Sequence, residues 1–120
     1  MNVANSVLRL FLELFAVGGF AIGSWTLAGE GWRILLAICS VLFVTVLWGV
    51  FAVPDDPSRS GKAPVPVPGL LRLVLELCIL LGGVYAWHLV GFTLVAGIAG
   101  ALVVFHYLWS RDRILWLLQQ

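Results

Sequence analysis

Residues 32–53 read WRILLAICSVLFVTVLWGVFAV, an apolar run in which Arg33 is the single charged residue. A helix needs about 20 mostly apolar residues to cross the hydrocarbon core of a bilayer, which is about 30 Å thick. This run has that length, and Pro54, directly after it, cannot continue a helix. The sequence therefore predicts a transmembrane helix over residues 32–53.

Three further apolar stretches of this kind flank the run, at residues 5–28, 70–90 and 92–109. Very short connections, at Gly29–Gly31 and at Gly91, separate the two members of each pair, so the paired helices must be antiparallel. We predict one transmembrane hairpin over residues 1–53 and a second over residues 70–110. The expected fold class is an all-α integral membrane protein, with four transmembrane helices arranged as two tandem hairpins.

Composition also favours a lipid environment. Of the 120 residues, 62% are hydrophobic and 11% are charged, whereas soluble domains average about 45–50% and about 25%. The lipid bilayer is therefore the expected surrounding of the chain. A net charge of +1 provides no basic field that would hold nucleic acid. Cys39 and Cys78 lie in apolar runs outside any metal-ligand spacing, so we interpret them as packing residues and expect neither metal nor cofactor.

Polar residues are concentrated between the hairpins and at the C-terminus. The linker, residues 54–69, is rich in proline and is expected to be an extended, semi-rigid connector. The tail, residues 111–120, is expected to extend the fourth helix or to lie on the membrane surface.

The distribution of positive charge predicts the orientation. With four spans, both termini and the linker share one side. Six of the seven Lys and Arg residues belong to that side: Arg9, Arg59, Lys62, Arg72, Arg111 and Arg113. Arg33 belongs to the other side. The positive-inside rule therefore places both termini in the cytoplasm.

The two hairpins share an internal repeat. Residues 8–14 read LRLFLEL and residues 71–77 read LRLVLEL, and each segment is followed by a glycine pair. We interpret this as duplication of a helical hairpin, with the two copies related by a pseudo-two-fold axis along the membrane normal. Five glycines are expected to let the helices approach closely; they are Gly18, Gly19, Gly23, Gly82 and Gly83.

The repeat places two Arg/Glu pairs inside the helices. Arg9 precedes Glu13 and Arg72 precedes Glu76 by four residues, which puts each pair on one helix face. Intramembrane charges face the protein interior and find partners. The pseudo-symmetry allows Arg9 to meet Glu76 while Arg72 meets Glu13, a four-charge ring with zero net charge. His106 lies at a similar depth and can join this network.

Two interpretations of the charges stay open. The network can be a structural device that pins the hairpins together, or one or both glutamates can take up protons or bind a cation. An arginine one turn away lowers the pKa of a carboxylate, which favours the structural interpretation.

The residues also resemble a known family. Three segments are similar to the YrdB-like family. They are the segment from Arg9 to Glu13, the turn formed by Trp48, Gly49, Phe51 and Pro54, and the pair Glu76 and Leu77. The resemblance covers nearly the whole chain. It implies a small four-helix protein of the bacterial cytoplasmic (inner) membrane and no assigned activity.

The sequence contains no nucleophile–base pair, metal cluster or phosphate-binding loop, so we do not expect an enzyme. The first functional hypothesis is an accessory or scaffold component of a larger membrane complex. The alternative is a small oligomeric transporter or channel that uses Glu13 and Glu76 as proton or substrate sites. The expected partner is therefore a larger membrane complex or a second copy of the chain.

Overall fold

The computed structural model describes residues 2–58 and 62–120, and most of these residues are helical. The helices are α1 (Val3–Leu27), α2 (Arg33–Val50), α3 (Gly69–Leu89), α4 (Thr93–Trp109) and α5 (Arg111–Leu118). A 3₁₀ turn, Glu30–Trp32, precedes α2, and the side chain of Asn2 caps the start of α1 by accepting from the Asn5 amide at 2.8 Å. Arg59, which we counted among the charges of the linker, lies outside the described residues.

The long helices differ in how well they match the thickness of a membrane. Among the described residues, α1, α3 and α2 together with its 3₁₀ turn are each long and apolar enough to cross a bilayer. The helix α4 has 17 residues and reaches that criterion only together with α5, from which it is bent by 68°. The described chain thus contains three helices of spanning length, or four if the bent pair counts as one span.

The beginning of α1, the end of α2, the beginning of α3 and the end of α4 meet at one end of the molecule. The side-chain amide of Asn5, on α1, donates from Nδ2 to the hydroxyl of Ser110, which follows α4, at 2.6 Å. On α3, Arg72 donates to the carbonyl of Trp48 at the end of α2 at 2.5 Å. Long-range contacts therefore close this end of the bundle around polar groups.

The central contact of the fold is between α1 and α3. Close approach of their backbones requires glycine, because a Cβ atom at Gly83 would overlap Ala16 and one at Gly19 would overlap the Gly83 carbonyl. The indole of Trp87 donates to the Phe15 carbonyl at 2.7 Å across the same contact. The structure places all five glycines selected from the sequence against the opposite helix. The buried core beside this contact consists of Leu12, Ala16, Leu80, Val103 and Tyr107.

The helices α2 and α4 pack on the outside of this central pair. On α2, Val44 is the one buried residue. Large apolar side chains such as Ile38, Leu42 and Phe43 are exposed on its other faces. A surface of this kind is what lipid would cover.

The second predicted helix ends earlier than expected. We predicted that it would continue to Val53, whereas α2 ends at Val50. Phe51 and Ala52 instead form β1, a two-residue strand that pairs in parallel with β2, Val65–Pro66. The carbonyl of Phe51 also accepts from Arg72 at 2.8 Å. A tertiary interaction thus draws the chain out of the helix three residues before Pro54 would have stopped it.

The described parts of the linker, and the tail, are folded against the bundle. The β1–β2 pairing ties both ends of the linker together, and Val67 donates to the Ala52 carbonyl at 2.9 Å. In the tail, α5 turns away from α4 and does not extend it. Its carbonyl at Leu117 lies where a Cβ of Gly69 would be, so the lack of a side chain at the start of α3 lets α5 dock there.

Candidate functional site

The buried end of the bundle is organised around Glu76, whose side chain is 0% exposed. Oε1 accepts from Arg9 Nη2 at 2.5 Å, from Arg113 Nη2 at 2.8 Å and from Arg72 Nε at 3.3 Å. Oε2 accepts from Arg113 Nη1 at 2.8 Å and from the Tyr107 hydroxyl at 3.2 Å. Three guanidinium groups from three helices therefore share one carboxylate.

Each Arg/Glu pair of the repeat makes the contact that its spacing predicts. Arg9 Nε donates to Glu13 Oε1 at 3.1 Å on α1, and Arg72 Nε donates to Glu76 on α3. The cross-contacts are not reciprocal. Arg9 reaches Glu76, but Arg72 lies on Glu76 of its own helix and on backbone carbonyls of the α2 end, not on Glu13. The expected four-charge ring is thus replaced by a cluster centred on one glutamate.

Arg113 is the third arginine of the cluster, and sequence analysis missed it together with its partner Asp56 and with Tyr107. Arg113 comes from α5, is buried, and links Glu76 to the linker. Its Nη2 donates to Asp56 Oδ2 at 2.8 Å and its Nε donates to the Ser58 hydroxyl at 2.6 Å. In the sequence, Arg113 reads as a charge of a polar tail, so only its position four residues after the apolar run of residues 92–109 could have suggested burial.

The complete cluster is electrically balanced. Three arginines, Arg9, Arg72 and Arg113, face three carboxylates, Asp56, Glu13 and Glu76. Buried ions are tolerated when charges are matched and their hydrogen bonds are satisfied. The zero net charge that we expected of four residues is achieved with six.

The Trp48 side chain forms one wall of the cluster. The guanidinium carbon of Arg72 lies 4.8 Å from the centre of its ring and that of Arg9 lies 5.2 Å away. Cations at this distance are attracted to the face of an aromatic ring. The turn singled out from the sequence thus contributes the Trp48 ring and carbonyl and the Phe51 carbonyl to the cluster, and Pro54 follows it in the linker.

His106 lies beside the charges but bonds to other groups. Its Nδ1 is 2.7 Å from Asn5 Oδ1, and the Asn5 amide donates onward to Ser110. Because the Asn5 oxygen can only accept, the proton of the imidazole is assigned to Nδ1. His106 Nε2 is buried and has no hydrogen-bond partner among the described residues. The chain Ser110–Asn5–His106 therefore joins α1 to α4 next to the ionic cluster.

Asp56 lies in the linker, outside the helices. Burial alone would raise the pKa of its carboxyl group. Hydrogen bonds from the amide and hydroxyl of Ser58, together with the Arg113 guanidinium, outweigh that effect and hold the pKa below its ordinary value. Asp56 therefore stays ionised at neutral pH and anchors the linker to α5.

The two glutamates differ in accessibility. Glu76 is enclosed, whereas the Glu13 side chain is 26% exposed. Glu13 lines a polar cavity of about 320 Å³ together with Arg9, Arg72, Asp56 and Ser58. Glu13 is thus the carboxylate of the cluster that a solute can reach.

Metal ligands are not grouped in the part of the chain that the structure describes. No set of three or more His, Cys, Asp or Glu side chains there could hold a metal ion. Cys39 and Cys78 are free thiols.

Fold and site together define a class: a small helical protein with several helices of membrane-spanning length and a buried, charge-balanced ion-pair cluster. Residues 7–104 match a family described as a protein of unknown function, DUF2568. The chain is 36% identical over 120 residues to the uncharacterized protein YrdB of Bacillus subtilis (strain 168), covering 100% of this chain and 98% of that protein. The chain belongs to this YrdB-like family. No solved structure matches it.

Proposed function

We propose that the chain is a multi-pass protein of the bacterial cytoplasmic (inner) membrane with both termini in the cytoplasm. Three helices of spanning length and the exposed apolar faces of α2 and α4 support this placement. In this arrangement α4 is the fourth span, and α5 lies at the inner surface with the linker. The six-to-one distribution of Lys and Arg supports this orientation.

Within that membrane, the function that the geometry supports best is a non-enzymatic accessory or scaffold role. The supporting observation is that Glu76 is fully buried and bound by three arginines. The charges thus satisfy one another and join α1, α3, α5 and the linker. Such an arrangement stabilises a defined shape, which is what an assembly partner requires.

Duplication of a helical hairpin would account for the cluster. Arg9 with Glu13 and Arg72 with Glu76 make the same contact one helical turn apart. In this proposal, the copies have since diverged: Glu76 took the buried central position and Glu13 the accessible one.

A small oligomeric transporter or channel is the second candidate, and the exposure of Glu13 favours it. A carboxylate that lines an open cavity can exchange a proton or bind a solute. Glu76, enclosed by three guanidiniums, is poorly placed for either task. In this candidate, Glu13 is therefore the working residue and Glu76 holds the structure.

Native mass spectrometry of the tagged chain, extracted gently from its own membrane, tests the choice. A stoichiometric second protein, absent when the untagged chain is processed in parallel, supports the accessory role and identifies the complex. A homo-oligomer without a second protein contradicts that role and favours the transporter. Flux assays in proteoliposomes, comparing wild type with Glu13→Gln and Glu76→Gln, then test the transporter directly.

A further inference from the structure

A second cavity adjoins the polar one in the cleft between α1 and α2. It has a volume of about 200 Å³ and shares Glu13, Trp48 and Gly49 with the polar cavity. Its remaining walls are mainly apolar and come from Leu14, Val17, Val44 and Ile79. The cleft thus changes from polar to apolar at Glu13.

Glu13 is the single charged residue among the described residues that line the apolar cavity. The one hydroxyl there, on Thr45, donates to carbonyls of its own helix at 2.8 and 3.1 Å. An apolar cavity with one carboxylate at its mouth is complementary to a molecule with an apolar body and a cationic group.

The arginines that line the polar cavity do not favour an anion instead. Arg9 donates to Glu13 and Glu76, and Arg72 donates to Glu76 and to two backbone carbonyls. Arg9 Nη1 has no hydrogen-bond partner among the described residues, but it is buried, and the two arginine side chains are 8% and 2% exposed, against 26% for Glu13. An anion at the mouth of the apolar cavity would face the Glu13 carboxylate at close range. A neutral acyl chain could fill the apolar part but would add no polar partner for the Glu13 carboxylate beyond Arg9 Nε.

We infer that the α1–α2 cleft is a binding site for a small organic cation. The ammonium group lies at Glu13, and the apolar body occupies the cavity between Leu14, Val17, Val44 and Ile79. The volume fits one aromatic ring with a small substituent, since an apolar cavity of about 150 Å³ holds benzene. This site goes beyond the accessory role and is independent of it, because binding requires neither a partner protein nor transport.

Equilibrium dialysis tests the site on the full chain in nanodiscs of zwitterionic lipid. The probe is benzyltrimethylammonium, and its uncharged isostere, neopentylbenzene, is the matched control ligand. After partition into empty nanodiscs is subtracted, we expect the cation to bind at one site per chain and at least about tenfold more tightly than the isostere, a ratio that corresponds to about 1.4 kcal/mol.

Three variants locate the bound cation. Glu13→Gln keeps the shape and removes the charge, so affinity should fall at least about tenfold. Glu30→Gln removes an exposed carboxylate from the 3₁₀ turn outside both cavities and should bind as wild type does. Val17→Phe should abolish binding with Glu13 intact, because the larger side chain fills the cavity.

The inference is wrong if the isostere binds as tightly as the cation, if Glu13→Gln leaves the affinity unchanged, or if no binding is detected. Equal binding of the two probes would show that the cavity recognises apolar shape and not charge. Should Glu13→Gln fail to fold, the comparison of probes on wild type and on Val17→Phe decides the question. The native mass spectrum described above does not depend on these outcomes.

Discussion

At the scale of single residues, the molecule places an ionised glutamate where no water reaches it. Removing a carboxylate from water costs several kcal/mol. At Glu76, five hydrogen bonds from three arginines and a tyrosine offset that cost. The arginines in turn depend on Glu76, because each would otherwise be a buried cation with fewer ligands.

Replacing Glu76 should therefore be far more damaging than replacing an exposed carboxylate. We expect Glu76→Gln to lower the free energy of unfolding by about 3–5 kcal/mol, since it leaves buried guanidiniums uncompensated. Unfolding by sodium dodecyl sulfate in mixed micelles, followed by tryptophan fluorescence, measures the effect. The control is Glu30→Gln, which should change stability by less than about 0.5 kcal/mol. Equal stability of the two variants would refute the central role of Glu76.

Asp56 should make stability depend on acidic pH. Its pKa is lower in the folded chain than in the unfolded chain, so it contributes stability above the unfolded pKa of about 3.9 that is lost as the pH falls through the folded value. We expect wild type to exceed Asp56→Asn in stability at pH 7 and the difference to shrink below about pH 4. Denaturant titrations of both proteins, at several pH values between 3 and 7, measure this difference. A difference that stays constant across the range would show that Asp56 acts through packing alone.

At the scale of helices, the contact between α1 and α3 determines how the two hairpins meet. Side chains larger than hydrogen at Gly19 and Gly83 would separate the helices and pull Arg9 on α1 away from Glu76 on α3. Close packing in one part of the interface and ion pairing in the other therefore support each other.

Two glycine substitutions separate packing from helix propensity. Gly83→Ala should destabilise the protein by about 1–3 kcal/mol, because the new methyl group overlaps the backbone of Ala16. Gly97→Ala, on α4, meets nothing within 4 Å and should be neutral or stabilising by up to about 1 kcal/mol. Unfolding in mixed micelles measures both variants, and similar effects at the two positions would argue against the close contact.

At the scale of the whole molecule, α5 links the C-terminus to the linker. Arg113 bonds to both Asp56 and Glu76, so the chain after α4 lies at the same end as the linker. Although α4 is short, this contact requires it to return to the end from which α3 starts. A fold in which α4 stayed at the opposite end would break the cluster.

Cysteine labelling tests this topology in cells. With Cys39 and Cys78 replaced by alanine, single cysteines at Asn2, Lys62 and Gln120 should react with a membrane-impermeant maleimide only in inverted vesicles. Gly31→Cys, between α1 and α2, should react in intact cells. Reaction of Gln120→Cys in intact cells would show that α4 does not cross, and reaction of Gly31→Cys in inverted vesicles alone would reverse the orientation.

The helical class, the apolar spans and the two Arg/Glu contacts within α1 and α3 follow from the sequence by itself. They depend on local periodicity and length, because side chains four residues apart on a helix are neighbours whatever surrounds them. The resemblance to the YrdB-like family also follows from the sequence alone, and the family match confirms it.

Only the tertiary structure decided which charges meet between elements. Arg113 is 37 residues from Glu76 and 57 residues from Asp56, and no local pattern reports contacts over such separations. The early end of α2 at Val50 and the position of α5 after the bend also depend on contacts with α3. Arg72 donates to the Phe51 carbonyl directly after α2, and Gly69 leaves room for the Leu117 carbonyl of α5. The difference between an enclosed Glu76 and an accessible Glu13 arises there too. Residues 8–14 and 71–77 are nearly identical as sequence, and their glutamates become distinct only when packing gives each segment different neighbours.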